Sequence, residues 1–466
     1  VSDVQTQTRG QPYSIEQLVA EELGNSSYLV ADPAAGDAVV IDPVRDVQQY
    51  LAKAGEHGWR IVCTLETHLH NDFLSGGAEL AAAGHGRHMS PAADGGAARI
   101  SGGDVVAVGS LQLRALHTPG HTPEHLSYLL ETGSGPAALF SGGALMVGTI
   151  ARPDLLGADR TFALARQAFA TVRDVLAPMD DTLPVFPTHG GGSFCGAATS
   201  AERATTIGRE RRDNALFDGH DFLPFLARYT NQGEFPRYYR AMAPMNRAGV
   251  PLLGVPLGSL RRVDPDEAGR LAHDGAALVD VRAHSEFDAG AAAGSLNAGV
   301  EGPMSAWVGW VLELDDPYVL VANSPDQARR AHRMLLRIGM DRASGWLDIA
   351  AWERAGRPLA RTRRGAMADL ADCVTAGEHL AVVDVRQERE WLAGHVPGAV
   401  HAMPAEVVDL ARTLPPDTVT AVYCSTGYRS SLASSLLARD GRVRPWHITD
   451  GVEAWCRLGH PLTVPG

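Results

Sequence analysis

Apolar runs with strand character alternate with polar, turn-forming stretches along the chain. In the first half, Asn25 to Val30 and Ala38 to Asp42 read as paired strands. Arg60 to Leu65 and Leu126 to Leu130 read as further strands. In the second half, strand-like runs lead into segments with helix character, as Val419 to Tyr423 leads towards Ser430 to Ala438. That alternation predicts small α/β domains built on parallel sheets.

The second half repeats itself. Val382-Val383-Asp384-Val385-Arg386 is a strand ending in a charged pair, and Leu278-Val279-Asp280-Val281-Arg282 mirrors it. The turn Gly394-His395-Val396-Pro397-Gly398 is echoed by Gly294-Ser295-Leu296-Asn297. The closing stretch Asp450 to Trp455 is echoed by Gly345 to Trp352. Val319 to Ser324 mirrors the strand into Cys424, with Asn323 in the cysteine's place. Pro325 follows, and no Arg stands where Arg429 would be. Asn cannot form a persulfide, so the first copy is expected to be a spacer or docking surface.

Cys424 opens the sequence Cys424-Ser425-Thr426-Gly427-Tyr428-Arg429-Ser430. A cysteine at a strand-to-helix turn sits among backbone N–H groups, at the positive end of a helix dipole. That environment lowers a thiol pKa from about 8.5 and exposes a thiolate nucleophile. Gly427 lets the loop curl, and Arg429 adds a positive charge. Four residues separate Cys424 from Arg429. One more would give the wider cradle of a cysteine phosphatase. The tighter loop suits a terminal sulfur held as a persulfide. Together with Asp384, Arg386 and the Gly394 and Asp450 stretches, this loop resembles the rhodanese sulfurtransferases over about the last hundred residues.

In the first half, Thr67-His68-Leu69-His70-Asn71-Asp72-Phe73 follows the Arg60 to Leu65 run. Two His and an Asp at alternating positions after a strand can converge on one metal. Thr118-Pro119-Gly120-His121 and Pro187-Thr188-His189-Gly190 come later. This ordered set resembles the metallo-β-lactamase fold, an αββα sandwich with metal at the sheet edges. His121 to His125 has the spacing of a helical zinc-protease motif, but Pro123 argues against a helix there. His121 alone of that pair is expected to be a ligand.

Fused to two rhodanese-like units, the first half resembles the bacterial persulfide dioxygenase–rhodanese proteins. The resemblance implies one Fe(II) held by two His and a carboxylate, with His68 and His121 as the two His. Phe73 stands where dinuclear hydrolases place a second-site His. Gly143 stands where the family has its Asp ligand. Three readings stay open: His68, His70 and His121 hold the metal, which suits zinc as well as iron; Asp72 or His189 completes a rearranged iron site; or the site is degenerate and binds metal poorly. Cys195, after the Gly-rich turn, is a candidate second thiol.

Gly- and Pro-rich linkers place the boundaries at 1–252, 258–361 and 365–466. The length of 466 residues fits several domains. Net charge is -13, which argues against nucleic acid or an anionic membrane as partner. The start, Val1 to Gln5, lacks the apolar core of a signal peptide, and no apolar stretch is long enough to span a bilayer. Five scattered cysteines are not a disulfide framework and fit a cytoplasmic location. Homo-oligomerisation stays open.

The expected function is oxidation of a low-molecular-weight thiol persulfide by O₂ to sulfite, with Cys424 and Arg429 moving sulfane sulfur to or from thiosulfate. Ser425, Thr426, Gly427, Tyr428 and Ser430 form the loop. The alternatives are a sulfurtransferase with a non-catalytic first domain, and a zinc-dependent thioester hydrolase with rhodanese-like passengers.

Overall fold

The structure, a computed structural model, describes residues 4–6, 11–92, 96–196, 200–217, 221–230 and 233–464. Residues 1–3, part of the start read above, lie outside the described residues. The chain divides into two compact units: Val1–Gln232 with Tyr238–Gly258 and Arg337–Gly339, and Gly233–Arg237 with Ser259–Leu336 and Met340–Gly466.

The first unit holds a seven-stranded and a six-stranded sheet. Strands Asn25–Asp32 and Asp37–Ile41 pair antiparallel, and Arg60–Leu65 runs parallel to the latter. Every residue of Asn25–Asp32 is buried, as expected for a strand covered on both faces. In Gly135–Gly142 the alternation decides which layer each side chain enters. Ala138 and Phe140 join Tyr28, Val30, Ile41 and Leu65 between the sheets. Leu139 points the other way, into a cluster with Ala165 and Ala168 of helix Ala158–Ala170. Tyr28 packs 5.1 Å from Phe140 and 5.7 Å from Phe186, centroid to centroid. Fully burying one such side chain stabilises by about 1.5–3 kcal/mol.

The strand ends that leave this core set up the site. Asp42 donates its N–H to the Leu65 carbonyl, and Leu126 donates to Thr67. Thr188 donates to Gly142, and Ser26 to Thr188. Tyr128 Oη bonds the Glu66 carbonyl at 2.8 Å. The loops after Ile41, Leu65, Gly142 and Pro187 are thereby drawn together at one edge, while the sheets behind them stay rigid.

The second unit holds two five-stranded sheets of one design. In the first copy the order is Arg262–Val263, Ala343–Asp348, Tyr318–Ala322, Ala277–Asp280, Leu296–Asn297. In the second it is Arg363–Gly365, Arg444–Ile448, Val419–Tyr423, Ala381–Asp384, Val400–His401. Neighbouring strands in both sheets are parallel. Each copy buries the same ion pair. Arg386 bonds Asp384 and the Gly394 carbonyl; Arg282 bonds Asp280 and the Gly290 carbonyl. Gly290 therefore takes the place of Gly394, four residues earlier than the Gly294 echo read from the sequence. Glycines at both positions allow either alignment on the page; only the arginine contact separates them.

The loops after the third strand differ. Helix Tyr428–Asp440 starts after the intervening residues 424–427, whereas helix Pro325–Arg337 starts after 323–324 alone. Pro325 is pre-organised for a first helical turn and starts it early. The register of the two sheets is the same. Val321 lies opposite Asp280 as Tyr423 lies opposite Asp384, and Val321 and Tyr423 accept the N–H of Val281 and Val385. The place of Cys424 is thus Ala322, one residue before the Asn323 read from the sequence, and neither carries sulfur. Among the described residues no helix is long and apolar enough to cross a membrane.

Candidate metal centre and sulfur-carrying loop

Three imidazoles meet at the edge of the first unit's sandwich. His68, His121 and His189 are buried, with ligand atoms all within 4.8 Å of one another. Their outer nitrogens are already engaged. Thr67 Oγ1 donates to Asp42 Oδ2 at 2.7 Å, so it accepts from His68 Nδ1 at 2.8 Å. His121 Nδ1 donates to the Arg152 carbonyl at 2.8 Å. His189 Nδ1 faces Asn25 Oδ1 at 3.1 Å and Asp72 Oδ2 at 3.3 Å. Each ring is left with its Nε2 lone pair turned inward. His68 Nε2 and His189 Nε2 stand 3.3 Å apart, and His121 Nε2 has no hydrogen-bond partner among the described residues.

Burial, with the neighbouring histidines, holds His68 well below its ordinary pKa. Burial and His189 push His121 down to about 3. Three imidazoles with convergent Nε2 atoms are a donor set for one divalent metal, and outer hydrogen bonds of this kind orient the ligand rings.

His70 is directed elsewhere. Its Nε2 lies 3.2 Å from both Asp42 Oδ1 and Glu66 Oε2, and its ring stacks on Phe73 at 4.1 Å. Burial alone would lower its pKa, but the Asp42 and Glu66 carboxylates raise it to about 10. Its ligand atoms fall with those of Asp42 and Glu66, or of Asp72 and His189, and not in one group with His68 and His121. Asp72 accepts from Asn25 Nδ2 at 2.6 Å and steadies His189 from behind. Gly143 donates its N–H to His125 Nε2 at 2.9 Å, which occupies that ring's lone pair. A Cβ at Gly143 would come 2.8 Å from the Ala151 methyl, so the chain has closed over the side where a carboxylate would stand.

Cys195, the candidate second thiol, lies in surroundings that favour the thiol over the thiolate. It is fully buried, and burial, together with Asp72, holds its pKa well above the ordinary value. A protonated, covered thiol is a poor nucleophile.

The sequence reading missed Asp42, Glu66 and Asn25. Asp42 is buried with φ 50°, a conformation uncommon outside glycine, and it accepts from Thr67 N and from the Thr67 and Thr188 hydroxyls. The available signal was a charged residue closing an apolar strand, the pattern already noted at Asp384.

In the second unit, Cys424 follows strand Val419–Tyr423, with its Sγ 3.5 Å from Ser430 Oγ. The cysteine is fully buried rather than exposed. It belongs to an apolar cluster with Val383, Val385, Val422 and Ala433. Gly427 has φ 86°, and a Cβ there would meet the Thr449 carbonyl at 2.5 Å. Gly451 presses on the loop from behind, where a Cβ would collide with the Ser425 carbonyl. Arg429 does not point freely into the cradle. It forms a bidentate pair with Glu390 at 2.5 and 2.9 Å and donates to Ser425 Oγ at 2.8 Å. Burial would raise the Glu390 pKa, but Arg429 and Ser425 lower it to about 2. Asp384 and Arg386 support the loop from below, with Tyr423 Oη donating to Asp384 Oδ2 at 2.7 Å. Thr426 follows Ser425 in the turn ahead of Gly427.

Comparison with known proteins identifies the two kinds of domain. The family described as the metallo-beta-lactamase superfamily matches residues 20–99, and the rhodanese-like domain matches 264–350 and 367–458. The class is thus a metallo-hydrolase-fold domain followed by two rhodanese-like domains. A protein of Burkholderia pseudomallei (strain 1710b), named a "probable metallo-hydrolase", is 30% identical over 233 residues, 40% of this chain and 75% of that protein. The chain belongs to the metallo-β-lactamase superfamily. A hydroxyacylglutathione hydrolase of Polaromonas sp. (strain JS666) is 35% identical over 176 residues, 35% of this chain and 62% of that protein. The chain spans about half to three-fifths of the length of the hydroxyacylglutathione hydrolases it matches. The crystal structure of a metallo-beta-lactamase from Staphylococcus aureus subsp. aureus COL aligns with TM-score 0.65 and 28% identity, over 72% of this chain and 99% of that one. The fold implies a divalent metal.

Because the Glu390 pKa is depressed in the fold, its contribution is present above its unfolded value of about 4.3 and is lost as pH falls towards about 2. Wild type is expected to be more stable than Glu390→Gln near neutral pH. The gap between their unfolding midpoints should close as pH is lowered through that window. A gap independent of pH would contradict the pairing.

Proposed function

We propose that the chain is an enzyme of sulfane-sulfur metabolism with two separate chemistries. The first unit oxidises a low-molecular-weight thiol persulfide. One persulfide, one O₂ and one water give the thiol, sulfite and two protons. The observation that carries this reading is the set of three inward Nε2 lone pairs at His68, His121 and His189, beside Phe73, which leaves a mononuclear centre. A metal held there, Fe(II) in this reading, supplies open coordination positions for a sulfur anion and O₂. Thr67, Arg152, Asn25 and Asp72 hold the imidazoles in place. A cavity of about 590 Å³, walled by Arg99 and Arg247 among others, offers positive charge for the carboxylates of a glutathione-like carrier. Its wall residue Glu124 accepts the N–H of Leu69, next to His68.

Cys424 is the sulfur carrier of the second unit. Its thiolate attacks the outer sulfur of thiosulfate; the S–S bond breaks, sulfite leaves with the electron pair, and a Cys424 persulfide remains. Loop amides at the start of helix Tyr428–Asp440 balance the anionic sulfur. Arg429, tied to Glu390, shapes the loop wall.

A second reading is a zinc-dependent hydrolase of a glutathione thioester. The likeness to hydroxyacylglutathione hydrolases and a donor set without carboxylate favour it. Iron-loaded full-length protein is expected to consume O₂ and release sulfite in equal amounts from glutathione persulfide. His121→Ala should abolish this, and Cys424→Ala should retain it. No uptake, with thioester hydrolysis by the zinc form, would replace the first reading with the second. Chelator-insensitive sulfur transfer with neither activity would leave a non-catalytic first domain.

Gly451→Ala tests the loop. Displacing it by about 1 Å is expected to lower thiosulfate-to-cyanide transfer by about 100-fold. Wild-type transfer in that variant would contradict the close packing at Ser425.

A further inference from the structure

The first rhodanese-like copy carries no thiol, yet it touches the Cys424 loop at successive residues. His447, fully buried on strand Arg444–Ile448 of the second copy, links the two. Its Nδ1 lies 2.7 Å from Oδ2 of Asp288, a buried residue of the first copy. Its Nε2 lies 2.9 Å from the carbonyl oxygen of Gly427. A carboxylate and a carbonyl only accept, so the ring makes both bonds only as an imidazolium, donating from both nitrogens. The Gly427 carbonyl also accepts the Ser431 N–H at 3.0 Å, so it is the joint between loop and helix.

The charges around this ring are few. The ring centroid of His284 lies 5.3 Å from that of His447, the two rings nearly perpendicular, and Arg364 Nε is 3.3 Å from the same Asp288 oxygen. His284, Asp288 and His447 have atoms close enough to surround a cation. The Arg364 guanidinium adds positive charge at that point, and the short hydrogen bond favours the ion pair.

The neighbouring loop residues are held from the same side. Tyr428 Oη donates to the Gly299 carbonyl at 2.8 Å, and its ring lies so close to Gly302 that a Cβ there would clash. Arg429 sits 5.7 Å from the Trp307 ring centroid. Ser431 Oγ donates to Asn297 Oδ1 at 2.6 Å. A two-residue turn without a cysteine cannot carry sulfur, but its domain can fix the geometry of a loop that does.

We propose that the first copy positions the Cys424 loop, through the Asp288–His447–Gly427 chain and the Tyr428–Gly299 contact, so that sulfur transfer at Cys424 depends on residues of a domain without its own nucleophile. Asp288 and His447 are positioning residues. The proposal rests on the reading of Cys424 as the sulfur carrier. Asp288→Asn keeps the shape and removes the charge that holds the imidazolium.

The test uses the full chain and follows persulfide formation on Cys424 with thiosulfate by mass spectrometry, beside ¹⁵N imidazole shifts of His447. Wild type should show the imidazolium pattern, and Asp288→Asn a neutral ring with sulfuration slowed about tenfold. Tyr428→Phe, which removes only a hydroxyl, should slow it about threefold and carries the test if Asp288→Asn does not fold. Unchanged rates in the folded variants would overturn the proposal. So would a neutral His447 in wild type. Absence of sulfuration in wild type, with the imidazolium present, would instead sink the reading of Cys424 and leave the clamp standing.

Discussion

The buried Asp42 carboxylate accepts hydrogen bonds from the Thr67 and Thr188 hydroxyls, and that constraint propagates to His68 and His70 of the metal centre. With its proton committed, Thr67 can only accept from His68, which fixes that ring's tautomer and turns its Nε2 lone pair inward. The other oxygen of Asp42, with Glu66, engages His70 Nε2 and raises that ring's pKa. One carboxylate therefore gives two histidines only two positions apart in sequence different surroundings. Its uncommon backbone conformation is sustained by this dense bonding.

The second unit shows the same division by different means. Both copies build their parallel sheets on one buried ion pair, Asp384–Arg386 and Asp280–Arg282. They part at the loop after the central strand. The four-residue turn at Cys424 has Gly427 and Gly451 to let two backbones approach closely. The two-residue turn of the first copy, ahead of Pro325, has neither a glycine nor a thiol. What that copy retains is a surface that meets Tyr428, Arg429 and Ser431 and reaches Gly427 through His447.

Much of this was legible in the chain. Strand Arg60–Leu65 and strand Val419–Tyr423 end where their apolar runs end, because a buried strand needs an unbroken apolar stretch. The histidines were visible as ligand candidates for their spacing. Choosing among them was not possible, because His70 and His189 are distinguished by partners distant in sequence: Asp42 and Glu66 for one, Asn25 and Asp72 for the other. The burial of Cys424 and the pairing of Arg429 with Glu390 escaped for the same reason. A motif shows which residues face a loop, while charge balance depends on what packs against it.

The most direct test of this account is metal analysis of anaerobically purified full-length protein and of two variants. Wild type should hold about one divalent metal per chain, as a single cluster of imidazole donors would. His189→Ala should lose that metal, whereas His70→Gln should keep most of it. Full occupancy in His189→Ala together with loss in His70→Gln would contradict the donor set that Asp42 and Thr67 impose.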